Sequence, residues 1–236
     1  MKQIRLDKLV STAMIISRKD ASLLIKSGRV SIDGNVLKKS DAKVDESSEI
    51  TVDGKKITYS KDLYIMLNKP SGLISSTDDN REKTVLSLFD KSYGDKGLFP
   101  CGRLDKDTVG LLIMTTDGTL AHKLLSPRHH AQKKYFVRCD KDFEERDVEI
   151  LKNGIMMDGK KTKEAILEIC ENPCEAYITL TEGKFHEIKR LCYACGEKQV
   201  LHLKRVTFAG LVLDEKLCEG EWRNLTESEI ETLRSN

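Results

Sequence analysis

Apolar residues recur every three or four positions at the start of the chain, which is the spacing of one helical face. The helix-spaced positions are Leu6, Leu9, Val10 and Ala13, followed by Ala21, Leu24 and Ile25. Ser17 precedes the second predicted helix as an N-cap, and Gly28 follows its end, where a positive φ costs little. The runs Val30–Val36 and Ile50–Ile57 surround Asp-Gly turns and predict two hairpins. The first unit is therefore two short helices followed by short strands.

Beyond residue 62 the apolar positions form short runs or alternate, and strands are predicted with helices between them. The predicted strands are Tyr64–Leu67, Leu111–Thr115, Tyr135–Cys139, Ile166–Cys170, Tyr177–Thr181 and His202–Phe208. The predicted helices are Val85–Phe89, Thr119–Leu125, Glu144–Asn153 and His186–Cys195. Because strands and helices do not alternate regularly, the pattern indicates an α+β class with a mixed, mostly antiparallel sheet and flanking helices.

A polar stretch at residues 59–62 separates the two patterns and is the predicted linker. We therefore expect a small helical and hairpin domain over residues 1–60 and a larger domain over residues 63–236. A chain of 236 residues is long enough to build a hydrophobic core in each of them.

Charge is distributed unevenly, although the net charge of the chain is only +2. Residues 1–60 contain twelve Lys and Arg against eight Asp and Glu, and within residues 1–43 the balance is ten against four. A basic module joined to a nearly neutral body is typical of a polyanion-binding appendage, although a solvated lysine-rich surface gives the same count. No apolar run approaches the ~20 residues of a membrane span. With no signal-peptide core at the N-terminus, we expect a cytoplasmic protein.

The seven cysteines are an odd number, which favours reduced thiols in that compartment. Cys192 and Cys195 form a CxxC pair, with Cys170 and Cys174 upstream, so a zinc or redox site has to be weighed. The CxxC ends a predicted helix, whereas a redox pair normally opens one, where the helix dipole lowers the thiol pKa. Small buried thiols are the favoured interpretation. The adjacent pair His129–His130 would point to opposite faces of a strand, so we expect no metal there either.

The segment Gly102–Gly118 places an acid, Asp105, in a loop just before a buried run. A carboxylate in a loop braced by core is a way to hold a reactive group still. The residues alone leave three interpretations open. Asp105 can form a structural ion pair with Arg103, or a pair of carboxylates with Asp107 that suits glycoside hydrolysis. Alternatively, Asp107 before Thr108 serves only as turn chemistry.

No acid occurs between Gly118 and Cys139, a stretch that is rich in cations. Its Lys and Arg residues are Lys123, Arg128, Lys133, Lys134 and Arg138. The stretch is predicted to run from a helix into the strand that contains Tyr135. Contact with phosphates is the favoured interpretation, and a solvated surface is the alternative.

The N-terminal pattern resembles an S4-type RNA-binding domain. The resemblance is carried by Arg5–Leu9, Ser17–Ala21 and Ile25–Gly34, in which cations, a helix-end glycine and a hairpin turn follow in order. It implies that cations on and after the two helices contact RNA phosphates. These cations are Arg5, Lys8, Arg18, Lys26 and Arg29.

Five later segments resemble, in order, the motifs of RNA pseudouridine synthases, in the ribosomal-RNA branch that carries an N-terminal S4 domain. They are Asn68–Gly72, Gly102–Leu112, Lys134–Val137, Glu182–Arg190 and Gly220–Thr226. Two further segments, Ser75–Asp79 and Ser126–His130, look closest to the member of the branch that modifies 16S ribosomal RNA. The resemblance implies that the chain isomerises a uridine of small-subunit ribosomal RNA to pseudouridine.

The resemblance also implies roles for individual residues. Asp105 is the carboxylate that acts as nucleophile or base on a flipped-out nucleotide, and Tyr135 stacks on the uracil ring. Lys189 stands where the family has the cation that pairs with this aspartate, and Arg190 beside it contacts RNA. Arg103 holds the RNA backbone or fills the space that the flipped nucleotide leaves.

One position departs from the family pattern. Gln commonly follows the His of the late motif, whereas this chain has Glu187, which when ionised accepts hydrogen bonds but does not donate them. Because the isomerisation oxidises nothing and releases no group, we expect no cofactor. The expected partner is ribosomal RNA or a partly assembled small subunit, and we expect a monomer.

Two other classes of function remain open at this point. One is an S4-domain RNA binder or assembly factor with a catalytically inert body. The other is a carboxylate-pair glycosidase or nucleosidase, which would release free uracil.

Overall fold

The structure is a computed structural model of the chain and describes residues 3–126 and 131–236. Residues up to Leu63, together with Phe89–Gly97, form one unit, and the remainder of the described chain forms a second, larger unit. The inclusion of Phe89–Gly97 in the N-terminal unit has no signal in the sequence pattern. No helix among the described residues is long and apolar enough to cross a membrane.

The N-terminal unit consists of short helices and short antiparallel strands. Its helices are α1 (Leu6–Met14), α2 (Arg18–Lys26) and α3 (Lys91–Asp95). Its strands are β1 (Gln3–Arg5), β2 (Val30–Ile32), β3 (Asn35–Val36), β4 (Lys43–Asp45), β5 (Ile50–Val52) and β6 (Lys55–Ile57). Strands β3, β2, β5 and β6 lie in that order in one sheet, and β1 pairs with β4.

The local predictions for this unit are confirmed. Ser17 caps α2 by accepting the backbone N–H of Asp20 at 3.1 Å, and Gly28 follows the helix with φ +76°. Both Asp-Gly turns close hairpins, β2–β3 and β5–β6. Leu6, Leu9 and Ile25 are fully buried in one core, as the helical spacing predicts. The pairing of β1 with β4 was not predicted.

The larger unit contains most of the regular structure. Its helices are α4 (Gly118–Leu125), α5 (Glu145–Asn153), α6 (Glu187–Ala194) and α7 (Glu227–Ser235), with a 3-10 turn at Val85–Leu88. Its first strands are β7 (Tyr64–Lys69), β8 (Phe99–Cys101), β9 (Val109–Thr115), β10 (Lys133–Cys139), β11 (Met156–Met157) and β12 (Lys160–Lys161). Its remaining strands are β13 (Ile166–Ile169), β14 (Glu175–Leu180), β15 (Val200–Phe208), β16 (Leu211–Val212) and β17 (Trp222–Asn224).

A nine-stranded mixed sheet organises the larger unit. Its main path runs β13-β14-β10-β15-β9-β7-β17, with β16 paired to β15 and β8 paired to β9. Within the described residues β15 and β9 run parallel, and the other neighbours are antiparallel. The fold is therefore α+β, with a small N-terminal unit ahead of a mixed, mostly antiparallel sheet and its helices, as predicted.

Helices α4 and α7 share one buried cluster with the central strands. Leu124 of α4 and Leu233 of α7 are buried together with Met66, Leu111 and Phe208 of the sheet. Helix α7 and strand β17 were not predicted, because their few apolar positions fall within a strongly charged C-terminal stretch. The predicted helix Val85–Phe89 is only a 3-10 turn at Val85–Leu88. The other predicted strands and helices of this unit are present, with shifts of a few residues at their ends.

The CxxC pair is buried, as expected. Cys192 and Cys195 are almost fully buried, and burial raises the pKa of Cys195 to about 12. A hydrogen bond with Cys139, together with burial, raises the pKa of Cys192. Such thiols are poor nucleophiles and poor metal ligands because they are held in the protonated form. Across the described residues, no group of three His, Cys, Asp or Glu side chains is arranged to hold a metal ion.

Candidate active site

The acid loop is the connection between β8 and β9, and the Asn68–Gly72 motif braces it. Gly72 N–H donates to the Lys106 carbonyl at 2.8 Å. The Ser75 hydroxyl both donates to the Leu104 carbonyl and accepts the Leu104 N–H, each at 3.0 Å. The two segments are brought together by the antiparallel pairing of β7 with β9. The backbone on each side of Asp105 is therefore fixed by non-local hydrogen bonds.

Lys69 anchors the same loop from inside the unit. Its side chain is fully buried, and its Nζ donates to the carbonyls of Pro70 (3.0 Å), Lys106 (3.2 Å) and Thr108 (2.9 Å). Burial lowers the pKa of Lys69 to about 8, against the opposing attraction of Asp107 and Asp105. A buried ammonium is tolerated here because all three of its protons have an acceptor.

The Lys189 ammonium lies near two carboxylates of the loop, those of Asp105 and Asp107. Its Nζ lies 3.7 Å from Oδ2 of Asp105, and 2.8 Å from both Oδ1 and Oδ2 of Asp107. His186 Nε2 lies 3.8 Å from the other oxygen, Oδ1, of Asp105. The tighter partner of the ammonium is therefore Asp107. The side chain of Asp105 remains 31% exposed and can meet a ligand.

The charges around this pair favour the ionised form of Asp107. Burial acts to raise the pKa of Asp107, but the hydrogen bond and the charge of Lys189 outweigh it, and the pKa falls below its usual range. The buried Lys69 ammonium adds positive potential from behind the loop.

Asp105 lines a cleft of about 590 Å³ in the larger unit. Tyr135, from β10, is nearly buried in its wall, and Arg103 is exposed at its edge. Lys189 reaches the cleft from α6, which is preceded by His186 in the left-handed region at φ +50°. The cleft therefore places a part-exposed carboxylate beside cations and an aromatic ring.

Arg205 belongs to the cleft wall and was missed from the sequence. Its side chain is 2% exposed, its Nε donates to the Leu111 carbonyl at 2.7 Å, and its guanidinium lies 4.8 Å from the ring centroid of Phe208. Its Nη2 has no hydrogen-bond partner among the described residues. Residue 110 has to be glycine for this packing, because a Cβ on Gly110 (φ +101°) would lie 2.4 Å from the Arg205 carbonyl oxygen.

Glu182, Glu187 and Lys133 form a second set of ionisable side chains in the cleft. Burial, together with a hydrogen bond to Glu182, raises the pKa of Glu187 to about 7. The same carboxyl accepts the Lys184 N–H at 2.8 Å. Burial and the nearby Arg205 lower the pKa of Lys133 to about 8. At neutral pH a protonated Glu187 can donate a hydrogen bond, as the Gln of the family pattern does.

Two further predicted RNA contacts of the larger unit, Lys134 and Arg190, lie outside this cleft. Lys134 pairs with Glu168 at 2.6 Å. Arg190 pairs through two hydrogen bonds of 2.8 Å with Asp158. Arg128, like the pair His129–His130, lies outside the described residues.

In the N-terminal unit, three of the five predicted RNA-contacting cations are held by acids. Arg5 and Arg18 pair with Asp7 at 2.8 and 2.7 Å. Arg5 and Arg18 lower the pKa of this carboxyl to about 2. Arg29 pairs with Asp53. The other two cations, Lys8 and Lys26, are exposed and form no ion pair with a described residue.

The structure thus brings together Asp105, Lys189, Tyr135, Arg103 and Lys133. Two functional residues outside the predicted set carried a signal in the sequence. Lys69 lies within the Asn68–Gly72 motif, and Arg205 is a charged residue in the middle of a predicted strand, where an apolar side chain is usual.

Comparisons with known proteins match both parts of the chain. The RNA pseudouridylate synthase family matches residues 63–194, and the S4 domain matches residues 4–50. An uncharacterized RNA pseudouridine synthase of Bacillus subtilis is 41% identical over 235 residues, which are 98% of this chain and 98% of that protein. Ribosomal small subunit pseudouridine synthase A of Escherichia coli is 37% identical, over 96% of this chain and 98% of that protein.

A solved crystal structure of a pseudouridylate synthase has a TM-score of 0.69 and 37% identity, over 98% of this chain and 99% of that one. The same domain order, the same fold and this degree of identity over nearly the full length leave one classification. The chain belongs to the RNA pseudouridylate synthase family and is an isomerase.

Proposed function

We propose that this enzyme isomerises a uridine of small-subunit ribosomal RNA to pseudouridine, with Asp105 as the catalytic carboxylate. The observation that carries the proposal is the position of Asp105, part-exposed in a cleft, 3.7 Å from the Lys189 ammonium and with Tyr135 in the same cleft. One of the relatives named above is a ribosomal small subunit pseudouridine synthase, which supports this substrate.

The reaction breaks the bond between uracil N1 and ribose C1′, turns the base, and joins C5 to C1′. A proton leaves C5 and a proton is gained at N1, so the product has the composition of the substrate. Asp105 acts at the sugar–base linkage as nucleophile or base, with the Lys189 ammonium 3.7 Å from its carboxylate. The uridine has to be flipped out of its helix to reach Asp105, and Tyr135 then stacks on it.

RNA is gripped by both units in this proposal. Residues 1–60 supply sequence-independent affinity through exposed cations, including Lys8 and Lys26, which form no ion pair within the described residues. Residues 63–236 form the catalytic body, where Arg103 and Lys133 contact the RNA around the target. The enzyme works as a monomer in the cytoplasm, where ribosomal RNA is assembled into ribosomal subunits.

The test is the substitution Asp105→Asn, which removes the charge and keeps the shape. RNA affinity is expected to stay within about tenfold while pseudouridine formation is abolished. Pseudouridine is mapped across ribosomal RNA from cells that lack the enzyme, complemented with wild type or with the variant. Asp78→Asn, an exposed aspartate of the same unit, is the matched control and should restore the modification.

The competing functions give different results in the same experiment. An active Asp105→Asn enzyme would overturn the role of Asp105. A carboxylate-pair glycosidase would release free uracil from the RNA, and an inert RNA binder would leave the pseudouridine map unchanged by the wild-type protein.

A further inference from the structure

A second cavity, of about 710 Å³, lies beside the catalytic cleft in the larger unit. The two cavities share His186 and Lys189 in their walls. The remaining walls of the second cavity come from α6 and from the β11–β12 hairpin, with Asp107 at the boundary. An RNA strand that places one nucleotide in the catalytic cleft therefore has its neighbouring nucleotides next to this cavity.

Exposed aromatic and sulfur-containing side chains line the second cavity. Phe185 is 74% exposed, Tyr193 is 53% exposed and Met156 is 69% exposed. Within the described chain, Phe185 and Tyr193 are the two Phe, Tyr or Trp side chains that are exposed. Large apolar side chains that converge on one cavity and stay open to solvent indicate a binding surface.

One face of the Phe185 ring is covered by the neighbouring side chain. It stacks on the His186 ring with centroids 3.8 Å apart and an interplanar angle of 21°, which leaves its other face open. His186 is itself fixed in the left-handed region just before α6. The ring is thus presented to the second cavity with one face covered by His186 and the other open, and a side chain already supported in this way loses less freedom on binding.

Each lysine and arginine that lines the second cavity is in an ion pair, and Lys198 pairs with the buried Asp147 at 2.9 Å. Lys189 is held by Asp107, and Arg190 by two hydrogen bonds to Asp158. With these charges neutralised, the surface left for a ligand is aromatic and flat. Such a surface suits an uncharged heteroaromatic ring better than a phosphate, and unpaired bases bind proteins by stacking on aromatic side chains.

We propose that the second cavity binds the base of an unpaired nucleotide next to the target uridine, stacked on Phe185 and flanked by Tyr193. The proposal rests on the proposed function, because it needs an RNA substrate whose target nucleotide occupies the adjoining cleft. It adds a second recognition site, so that the enzyme recognises two adjacent nucleotides that are not base-paired rather than a single flipped uridine.

The experiment measures affinity and turnover on a 16S ribosomal RNA transcript with the full-length enzyme and with Phe185→Ala, Phe185→Leu and Phe185→Tyr. Loss of one base stack should weaken binding about five- to a hundredfold in the Ala variant. The effect should fall on KM, with kcat at saturating RNA changed less than about threefold. Tyr should restore affinity because it keeps the ring, and Leu should not.

Val212→Ala is the matched control, since Val212 is a 65% exposed apolar residue outside both cavities. Its affinity should equal that of the wild type. Equal affinity in Phe185→Ala would overturn the proposal, and so would full rescue by Leu, which would show apolar contact without stacking. Weakened binding to an assembling ribonucleoprotein but not to the naked transcript would assign the cavity to a protein and overturn it as well.

A double-mutant cycle, which combines Phe185→Ala with the removal of one RNA base, identifies the nucleotide that is bound in the second cavity. Once the target uridine is mapped, an abasic nucleotide replaces its neighbour on either side. One abasic RNA should lose affinity for wild type but lose little more with Phe185→Ala, because both changes remove the same stack. Additive losses on both sides would overturn the proposal. A wild-type enzyme that makes no pseudouridine would instead refute the proposed function, while the affinities still decide the occupant of the cavity.

Discussion

Replacement of Glu187 by Gln should make the larger unit insensitive to a titration that weakens the wild-type protein as the pH rises from 4.5 to about 7. In the folded chain the Glu187 carboxyl accepts the Lys184 N–H and is hydrogen-bonded to Glu182. The hydrogen bond between two carboxyl groups needs one proton. A Gln amide at the position can accept the same N–H and donate to Glu182 without taking up a proton.

The magnitude follows from the pKa of Glu187, which burial and Glu182 raise from 4.5 to about 7. This rise corresponds to about 3 kcal/mol at most, at about 1.36 kcal/mol for each pKa unit. The pKa of Glu182 is lowered in the same contact, which offsets part of the cost. We therefore expect a net effect of about 1 to 2 kcal/mol on the free energy of unfolding.

The sign is set by the direction of the change in pKa. Because the pKa is higher in the folded state, the folded protein keeps a proton that the unfolded chain has lost. The stabilisation is complete below pH 4.5 and is lost as the pH rises towards and through about 7. The Gln variant has no such loss, so its advantage over the wild type should grow between pH 5 and pH 8.

The assay is urea unfolding at pH 5.0 and pH 8.0, followed by the fluorescence of Trp222. Trp222 is the one tryptophan of the sequence, and it lies in β17, so its signal reports on the larger unit. Glu164→Gln, at an exposed glutamate, is the control and should show no pH-dependent difference from the wild type. A difference between wild type and Glu187→Gln that stays the same at both pH values would refute the reasoning.

Three further predictions concern other charged residues. Asp107→Asn removes the tighter partner of Lys189 but leaves Asp105 at 3.7 Å, so single-turnover pseudouridine formation should stay within about tenfold, whereas Lys189→Met should lose more than about a hundredfold. Lys69→Met leaves three loop carbonyls without their buried donor and should lower the free energy of unfolding of the larger unit by about 2 to 4 kcal/mol. Asp7→Asn should cost about 1 kcal/mol at pH 7, because its pKa is held at about 2 by the two arginines, and the cost should vanish as the pH falls from 3.8 towards 2.

Each of these predictions has a result that contradicts it. Equal losses for Asp107→Asn and Lys189→Met would mean that the ion pair at 2.8 Å, rather than the cation near Asp105, supports turnover. Lys83→Met, at an exposed lysine, is the control for Lys69→Met, and equal stability of the two variants would contradict the anchoring role. For Asp7→Asn, followed by far-ultraviolet circular dichroism in urea, a cost that persists at pH 2 would contradict the ion-pair origin.

The local structure of the N-terminal unit and the position of the loop that contains Asp105 could be predicted from the sequence. Helical spacing located α1 and α2, because one buried face needs an apolar residue every three to four positions. The turn in each N-terminal hairpin followed from an Asp-Gly pair, whose backbone preferences are local. Asp105 stood out through its place in a loop ahead of an apolar run, and the family resemblance indicated Lys189 and Tyr135 as its neighbours.

Tertiary structure alone decided how those side chains share their charges. Lys189 lies closer to Asp107 than to Asp105, and no spacing along the chain indicates which of two nearby carboxylates an ammonium prefers. Arg205 enters the cleft because β15 runs parallel to β9, which brings its guanidinium to a carbonyl 94 residues away.

The physical reason is that helix faces and turns depend on near neighbours, whereas burial and partner choice depend on strand order and register. By itself the sequence therefore determined the helices and hairpins of the N-terminal unit, the α+β class and the position of the candidate acid. The packed sheet decided which charges are buried, which are paired, and that a second, aromatic cavity adjoins the first.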